Sequence, residues 1–189
     1  LFLSLGFMGS VNANSIKGAF GYEFGDIVKG IKVESYEHIV WVSKSFKPSK
    51  PVPGLSRYNI YTTINDNKIY KITASHREPS SNNNSCDLYF GDFGKIYKML
   101  EAKYGDFEEY GNNSKYGTSS NGVRWFDDHV YYKYDNKNRR IVIECKRYSP
   151  RNYELNLMYI DYKLSDIMDK ESKEWLKQKT LNESSDYDL

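Results

Sequence analysis

The sequence predicts an α+β domain in which a Tyr-rich antiparallel β-sheet is packed by one central helix, at about 87–104, and by a helix near the C-terminus. Three observations carry this. A hairpin pattern spans 58–74, several alternating segments joined by short polar turns fill the second half, and one apolar stripe at helical spacing lies between them. Short turns between consecutive strands require antiparallel neighbours, which separates this pattern from a parallel α/β fold.

The length of 189 residues sets one domain as the default, and a chain of this size buries roughly 70% of its unfolded surface, enough for a core without metal staples. With 39% hydrophobic and 16% aromatic residues the chain is too rich in core formers to be disordered. Its 27 basic and 25 acidic side chains nearly cancel, so the strong positive field of a duplex nucleic-acid binder is missing.

Residues 1–11, Leu-Phe-Leu-Ser-Leu-Gly-Phe-Met-Gly-Ser-Val, carry no charge and match the apolar region of a secretory signal. Val11 and Ala13 occupy the two small-residue positions a signal peptidase reads. Cleavage is expected between Ala13 and Asn14, and the missing basic start places the first residue inside the signal. Spanning a bilayer takes about 20 apolar residues, and Asn12, Asn14 and Lys17 arrive too early for that. No transmembrane segment is expected in the mature form. No cysteine follows the apolar run, which disfavours a lipid-anchored lipoprotein. The expected organisation is a signal remnant over 1–13, one domain over 14–180 and a flexible acidic tail over 181–189, in a periplasmic or secreted protein.

Export makes the cysteines readable, because an oxidising compartment leaves two cysteines only one intramolecular pairing. A Cys86 to Cys145 disulfide is expected, and closing its loop of about 60 residues stabilises by roughly 4 kcal/mol in the chain-entropy account. A reactive thiol at Cys86 would need a base and an electropositive setting, which Asn84-Ser85-Cys86-Asp87-Leu88 does not supply.

Along the chain, Phe20, Tyr22 and Phe24 alternate between glycines and read as a short strand or ordered turn, the strand spacing putting the three rings on a single face. Ile39-Val40-Trp41-Val42 is a compact apolar run, and Phe46 to Gly54, with Pro48, Pro51 and Pro53, is a stiff connection. In the hairpin, strand formers over 58–64 and 68–74 flank the turn Asn65-Asp66-Asn67. Ser80 to Ser85 forms a polar loop. In the central helix Phe93, Ile96, Tyr97, Leu100 and Tyr104 share one face, and Gly105 stands where the helix should stop. Strands are then expected at 123–126, 129–134, 140–145 and 153–159, with Asp127-Asp128 as a hairpin turn between the first two. The C-terminal helix is expected over 165–180, with Leu164, Ile167, Met168, Trp175 and Leu176 on its apolar side.

Chemistry is sparse in the motifs. His38, His76 and His129 lack mutual ligand spacing, and neither HExxH nor paired CxxC occurs, so no metal site and no cofactor are expected. Gly91-Asp92-Phe93-Gly94-Lys95 lacks the spacing of a phosphate loop, and no GxSxG elbow is present. Asp127 and His129 are the residues a hydrolase reading would have to use, as carboxylate and imidazole on one strand face. The aromatics carry more. Tyr131, Tyr132, Tyr134, Tyr148 and Tyr153 interleave with Lys133, Lys146, Arg147 and Arg151, and Tyr with Arg is the favoured anchor pair for a protein partner. The candidate binding set is therefore Tyr131, Tyr132, Tyr134, Arg147, Tyr148, Arg151 and Tyr153. The opposing expectation is that these rings simply build the sheet, buried with their hydroxyls wet.

The glycine-aromatic opening, the hairpin strand Lys68-Ile69-Tyr70-Lys71-Ile72, the helix ending Lys103-Tyr104-Gly105 and the late strand with the second cysteine resemble small exported bacterial proteins of uncharacterised function. Their helix-on-antiparallel-sheet layout is similar to the beta-lactamase-inhibitor-protein-like and outer-membrane-assembly lipoprotein (SmpA/OmlA-like) folds. The pattern covers about residues 18–160, without the lipidated cysteine and in one copy. The resemblance implies a module that acts by binding, and it transfers no catalytic residue. The leading expectation is an exported, non-enzymatic binding protein, inhibitor- or immunity-like, with a protein partner in the cell envelope. A glycan- or envelope-binding protein that uses exposed Tyr is the second reading, and an unrecognised hydrolase the third.

Overall fold

The computed structural model describes residues 15–79, 91–109, 126–135, 138–149 and 152–185, with side chains throughout except at 78–79, 126–130, 132, 135, 147–149, 152 and 184–185. The chain is α+β. Its strands are β1 (Gly18–Ala19), β2 (Tyr22–Glu23), β3 (Val33–Tyr36), β4 (Ile39–Ser45), β5 (Arg57–Thr62), β6 (Ile69–Pro79), β7 (Glu108–Glu109), β8 (Phe126–Asp135), β9 (Arg139–Ser149) and β10 (Asn152–Asp161). Helix α1 (Asp92–Tyr104) stands between β6 and β7, and α2 (Tyr162–Ser185) follows β10 without a break. Among the described residues, eight strands form one antiparallel sheet in the order β3-β4-β5-β6-β10-β9-β8-β7. The last strand in sequence therefore lies at its centre, with β6 and β9 as neighbours.

Alternation divides the sheet into an inner and an outer face. Ile60 pairs with Ile72, Ala74 with Leu157, and Leu157 with Ile143, so the inner face is a continuous apolar layer of fully buried side chains. Helix α1 closes it with Phe93, Ile96, Leu100 and Tyr104, the side chains its 3.6-residue period places together. The helix is shorter than the sequence predicts. It starts at Asp92, because Gly91 is extended at φ −84° and ψ 175° and cannot continue a helix; residues 87–90 lie outside the described set. Gly105 N donates to Glu101 O at 2.8 Å and ends the helix where expected.

The aromatic opening is a hairpin of two short strands around a tight turn. β1 and β2 pair through a two-residue turn in which Phe20 and Gly21 both have positive φ, 56° and 91°, the conformation that matches the strand twist. The rings still reach the core. Phe20 meets Tyr58 edge-on at 5.1 Å and Tyr159 at 5.9 Å, and Tyr22 meets Phe46 at 4.8 Å. The proline-rich connection joins the core too: the Tyr58 hydroxyl accepts from Val52 N at 2.9 Å and lies 3.2 Å from Leu55 O, to which it donates.

Two further boundaries differ from the sequence reading. Asp127-Asp128 is not a hairpin turn, since β8 runs through it as one strand. Phe126 pairs with Arg147 and His129 with Cys145, so three steps on β8 answer two on β9, which is a β-bulge. Residues 123–125 lie outside the described set. Helix α2 exceeds the predicted 165–180 at both ends and runs into the stretch read as an acidic tail. Its start is set by Asp161, whose Oδ1 accepts from Leu164 N at 3.2 Å as an N-cap, a signal overlooked because the residue ends a strand. Met168 is buried on its inner side, whereas Ile167, predicted to be inward, is 43% exposed. The helix touches the ends of β10, β6 and β4, accepts from Ile64 N at 2.6 Å with Glu171 Oε2, and reaches β3, where Lys179 Nζ meets Ser35 Oγ at 3.2 Å.

Candidate interaction face

The outer face differs from the inner one in every described row. Register places Tyr61 of β5, Lys71 of β6, Ile160 of β10, Arg140 of β9 and Tyr134 of β8 side by side across five strands. The next row is Asn59, Thr73, Met158 and Val142, and the one after it is Arg57, Ser75, Asn156 and Glu144. Apart from the buried Val142, these side chains are half-buried or exposed. Helix α1 covers the opposite face, and α2 touches β10, β6 and β4.

Cations and aromatic rings organise the first row. Lys71 Nζ lies 4.1 Å from the centre of the Tyr61 ring, and Arg140 Cζ lies 5.2 Å from that of Tyr134. Arg140 Nη1 donates to the Tyr162 hydroxyl at 3.0 Å, and the Tyr162 ring stacks with Tyr134 at 6.3 Å and 27°. Tyr162 is the first residue of α2, so the turn from β10 into the helix completes this cluster. Burial lowers the Lys71 pKa from its ordinary value, because the charged amine has lost hydration. Among the described residues no carboxylate lies within salt-bridge distance of it. Nearby Tyr70 is pushed up to about 12 by burial, then by the charges of Tyr61 and Asp169. Below this row Lys146 Nζ pairs with Glu144 at 2.7 Å, and Asn156 Nδ2 donates to the same carboxylate at 3.5 Å.

The candidate tyrosines named from sequence divide between the faces. Tyr131 is buried on the inner side, its ring 4.9 Å from Tyr97 and 5.8 Å from Phe93. Tyr153 is also buried, 6.0 Å from the His76 ring. Both build the core and are removed from the binding set. Tyr134, 42% exposed, belongs to the outer face. Tyr132 pairs with Val142 in the backbone register and Arg147 with Tyr153; the side chains of Tyr132, Arg147 and Tyr148, and all of Arg151, lie outside the described set. Tyr61, Lys71, Arg140 and Tyr162 were missed as a group, because only cross-strand register brings them together.

The other candidates stand apart. Cys145 is fully buried on β9 opposite Leu155, and none of the described cysteines is a free thiol. Cys86 lies outside the described set. The backbone at Asp127 and His129 belongs to the β8 bulge, which breaks the alternation that was to align them; their side chains are not described. His38 is exposed in the β3–β4 turn, and His76 Nδ1 shares a 3.1 Å hydrogen bond with Ser56 Oγ on the rim of the inner face. Among the described residues no group of three or more His, Cys, Asp or Glu could hold a metal ion. Among them, too, no helix is long and apolar enough to cross a membrane. Neither a family model nor a curated protein sequence matches the chain.

Proposed function

We propose that the chain is an exported, non-enzymatic binding protein, inhibitor- or immunity-like in mode, which engages a protein partner in the cell envelope through the outer face of its sheet. The observation that carries this reading is the Tyr134, Arg140 and Tyr162 cluster, an exposed aromatic and a guanidinium held in fixed geometry on the outer face. Tyr and Arg presented without loss of rotamer freedom are the anchors protein interfaces favour. Ile160 and Met158 lie between the polar groups and give a partner apolar surface to cover. A glycan would need a clear aromatic face for stacking, and Arg140 already stands over the Tyr134 ring. Export and the Cys86 to Cys145 disulfide belong to the same proposal.

The test is cross-linking capture from envelope extract with the mature chain and with a Tyr134→Ala/Arg140→Ala variant. A single protein retained by the first and lost by the second supports the reading. Equal retention by both contradicts it.

A further inference from the structure

Tyr134 and Tyr162 are the flattest pair of tyrosine rings among the described residues. Their centres lie 6.3 Å apart with an angle of 27° between the planes, whereas Tyr61 with Tyr70, Tyr97 with Tyr131 and Tyr104 with Tyr159 meet at 59°, 63° and 64°. A steep pair sets the edge of one ring against the face of the other, while a flat, offset pair runs the two rims, with the carbons beside each hydroxyl, past one another. The flat pair is also the most open. Tyr134 is exposed and Tyr162 half-buried, whereas Tyr61 and Tyr70 are both half-buried and Tyr104, Tyr131 and Tyr159 are buried. Arg140 holds the pair, with Nη1 donating to the Tyr162 hydroxyl at 3.0 Å and Cζ 5.2 Å from the centre of the Tyr134 ring.

We infer that Tyr134 and Tyr162 are an oxidative modification site, where a haem peroxidase with hydrogen peroxide joins the two phenols as a dityrosine and so fastens α2 to β8. Each phenol gives up one electron and its hydroxyl proton; the Tyr162 oxygen accepts from Arg140, so its own proton is turned from the guanidinium. The two tyrosyl radicals then pair their electrons in one carbon–carbon bond between the positions ortho to the oxygens. Each of those carbons loses its hydrogen as a proton and each oxygen regains one, which restores both rings. The two electrons and two protons released overall reduce one hydrogen peroxide to two waters. Tyr134 stands near the end of β8 and Tyr162 opens α2, 28 positions on, so the bond closes the chain through β9 and β10 and removes freedom from the unfolded state. Exposure alone does not make such a site. Tyr36 is more open than Tyr134, 66% against 42%, but no ring stands beside it among the described residues. The inference goes beyond the binding reading and needs no partner protein.

The experiment treats the full chain, at high dilution, with haem peroxidase and hydrogen peroxide, and reads dityrosine by fluorescence, intact mass and sequencing of the linked peptides. The monomeric chain should become lighter by two hydrogens, and the bond should map to Tyr134 and Tyr162. Dityrosine fluorescence should fall at least about tenfold in Tyr134→Phe and in Tyr162→Phe, because a held pair couples far faster than two rings that must meet by diffusion. Tyr36→Phe should leave the yield unchanged. The cross-linked chain should unfold about 5–10 °C above the untreated one. Phenylalanine keeps each ring, circular dichroism checks that the variants fold, and the mapping in the unaltered chain does not depend on them. Absence of dityrosine from the monomer, a bond mapped mainly to another pair, or full fluorescence from Tyr162→Phe would each overturn the inference. A cross-linked chain with an unchanged unfolding midpoint would overturn the fastening of α2.

Discussion

Asp161 is held by Arg139: Oδ2 accepts from Nε at 2.9 Å, while the other oxygen of the same carboxylate caps α2 at Leu164 N, 3.2 Å away. Arg139 Nη1 also donates to Ile16 O at 2.8 Å, so one ion pair ties the first described residues, the centre of the sheet and the start of the C-terminal helix together. The carboxylate is 9% exposed and the guanidinium 33%, which leaves the charge little water to fall back on if its partner is removed. Asp161→Ala should destabilise the protein by about 2–3 kcal/mol, a cap and a partly screened charge pair together. Asp161→Asn, which can still cap, should cost roughly half as much. Urea unfolding of the two variants checks the order.

Phe93 is fully buried beneath the sheet, against Tyr131 at 5.8 Å. Phe93→Ala should cost about 3–5 kcal/mol by lost burial and the cavity left behind. Met99 on the same helix is 47% exposed, and Met99→Ala should stay within about 0.5 kcal/mol of the parent. Thermal unfolding of both measures whether α1 is attached by the side its period selects.

Two glycines of similar backbone conformation differ in surroundings. Gly21 has φ +91° and open space where a Cβ would point, while Gly54, at φ +83°, would bring a Cβ within 2.9 Å of Asp92 Cβ at the start of α1. Gly21→Ala should cost about 1 kcal/mol from left-handed strain alone, and Gly54→Ala distinctly more because α1 must also move. Equal losses in denaturant titration would mean that the contact at Asp92 carries no constraint.

Alkaline pH should unfold the protein through its buried phenols. Tyr70 and Tyr97 are each raised from 10.0 to about 12, by burial first, and in Tyr97 then by Glu101; burial also raises Tyr159, with Tyr104 adding to it. The unfolded chain ionises these groups near 10 and the folded chain holds their protons, so stability present below pH 10 is lost as pH rises toward 12. Lys71 acts in the opposite sense below 10.5, because its folded-state value is lowered and deprotonation relieves the buried charge. Absorbance at 295 nm should show a first group of tyrosines titrating reversibly and a second appearing together with loss of circular dichroism.

The sheet was legible in the sequence because its strands alternate against turns of Asn, Asp and Lys. The hairpin over 58–74 and the stripe from Phe93 to Tyr104 each follow from one local period. Boundaries were misread where tertiary contacts decide. Gly91 turns the chain before α1, Asp161 ends a strand and caps a helix, and the bulge at Asp127 to His129 absorbs a residue that looked like a turn. The binding face was legible only in part. Tyr131, Tyr134 and Tyr153 look alike in sequence, yet two are buried and one is open, since a side chain's face depends on its position in the alternation. Arg140 and Lys71 sit 69 positions apart and share one row, on either side of Ile160, only because β10 returns between β6 and β9.

The central claim is that the outer face, and not the helix-covered side, meets the partner. Hydroxyl-radical footprinting of the chain alone and with its captured partner measures this directly. Oxidation of Tyr134, Met158 and Tyr162 should fall several-fold in the complex, while Met99 on α1 and Tyr36 at the β3–β4 turn keep their rates. Protection of Met99 with Tyr134, Met158 and Tyr162 unchanged would contradict the account.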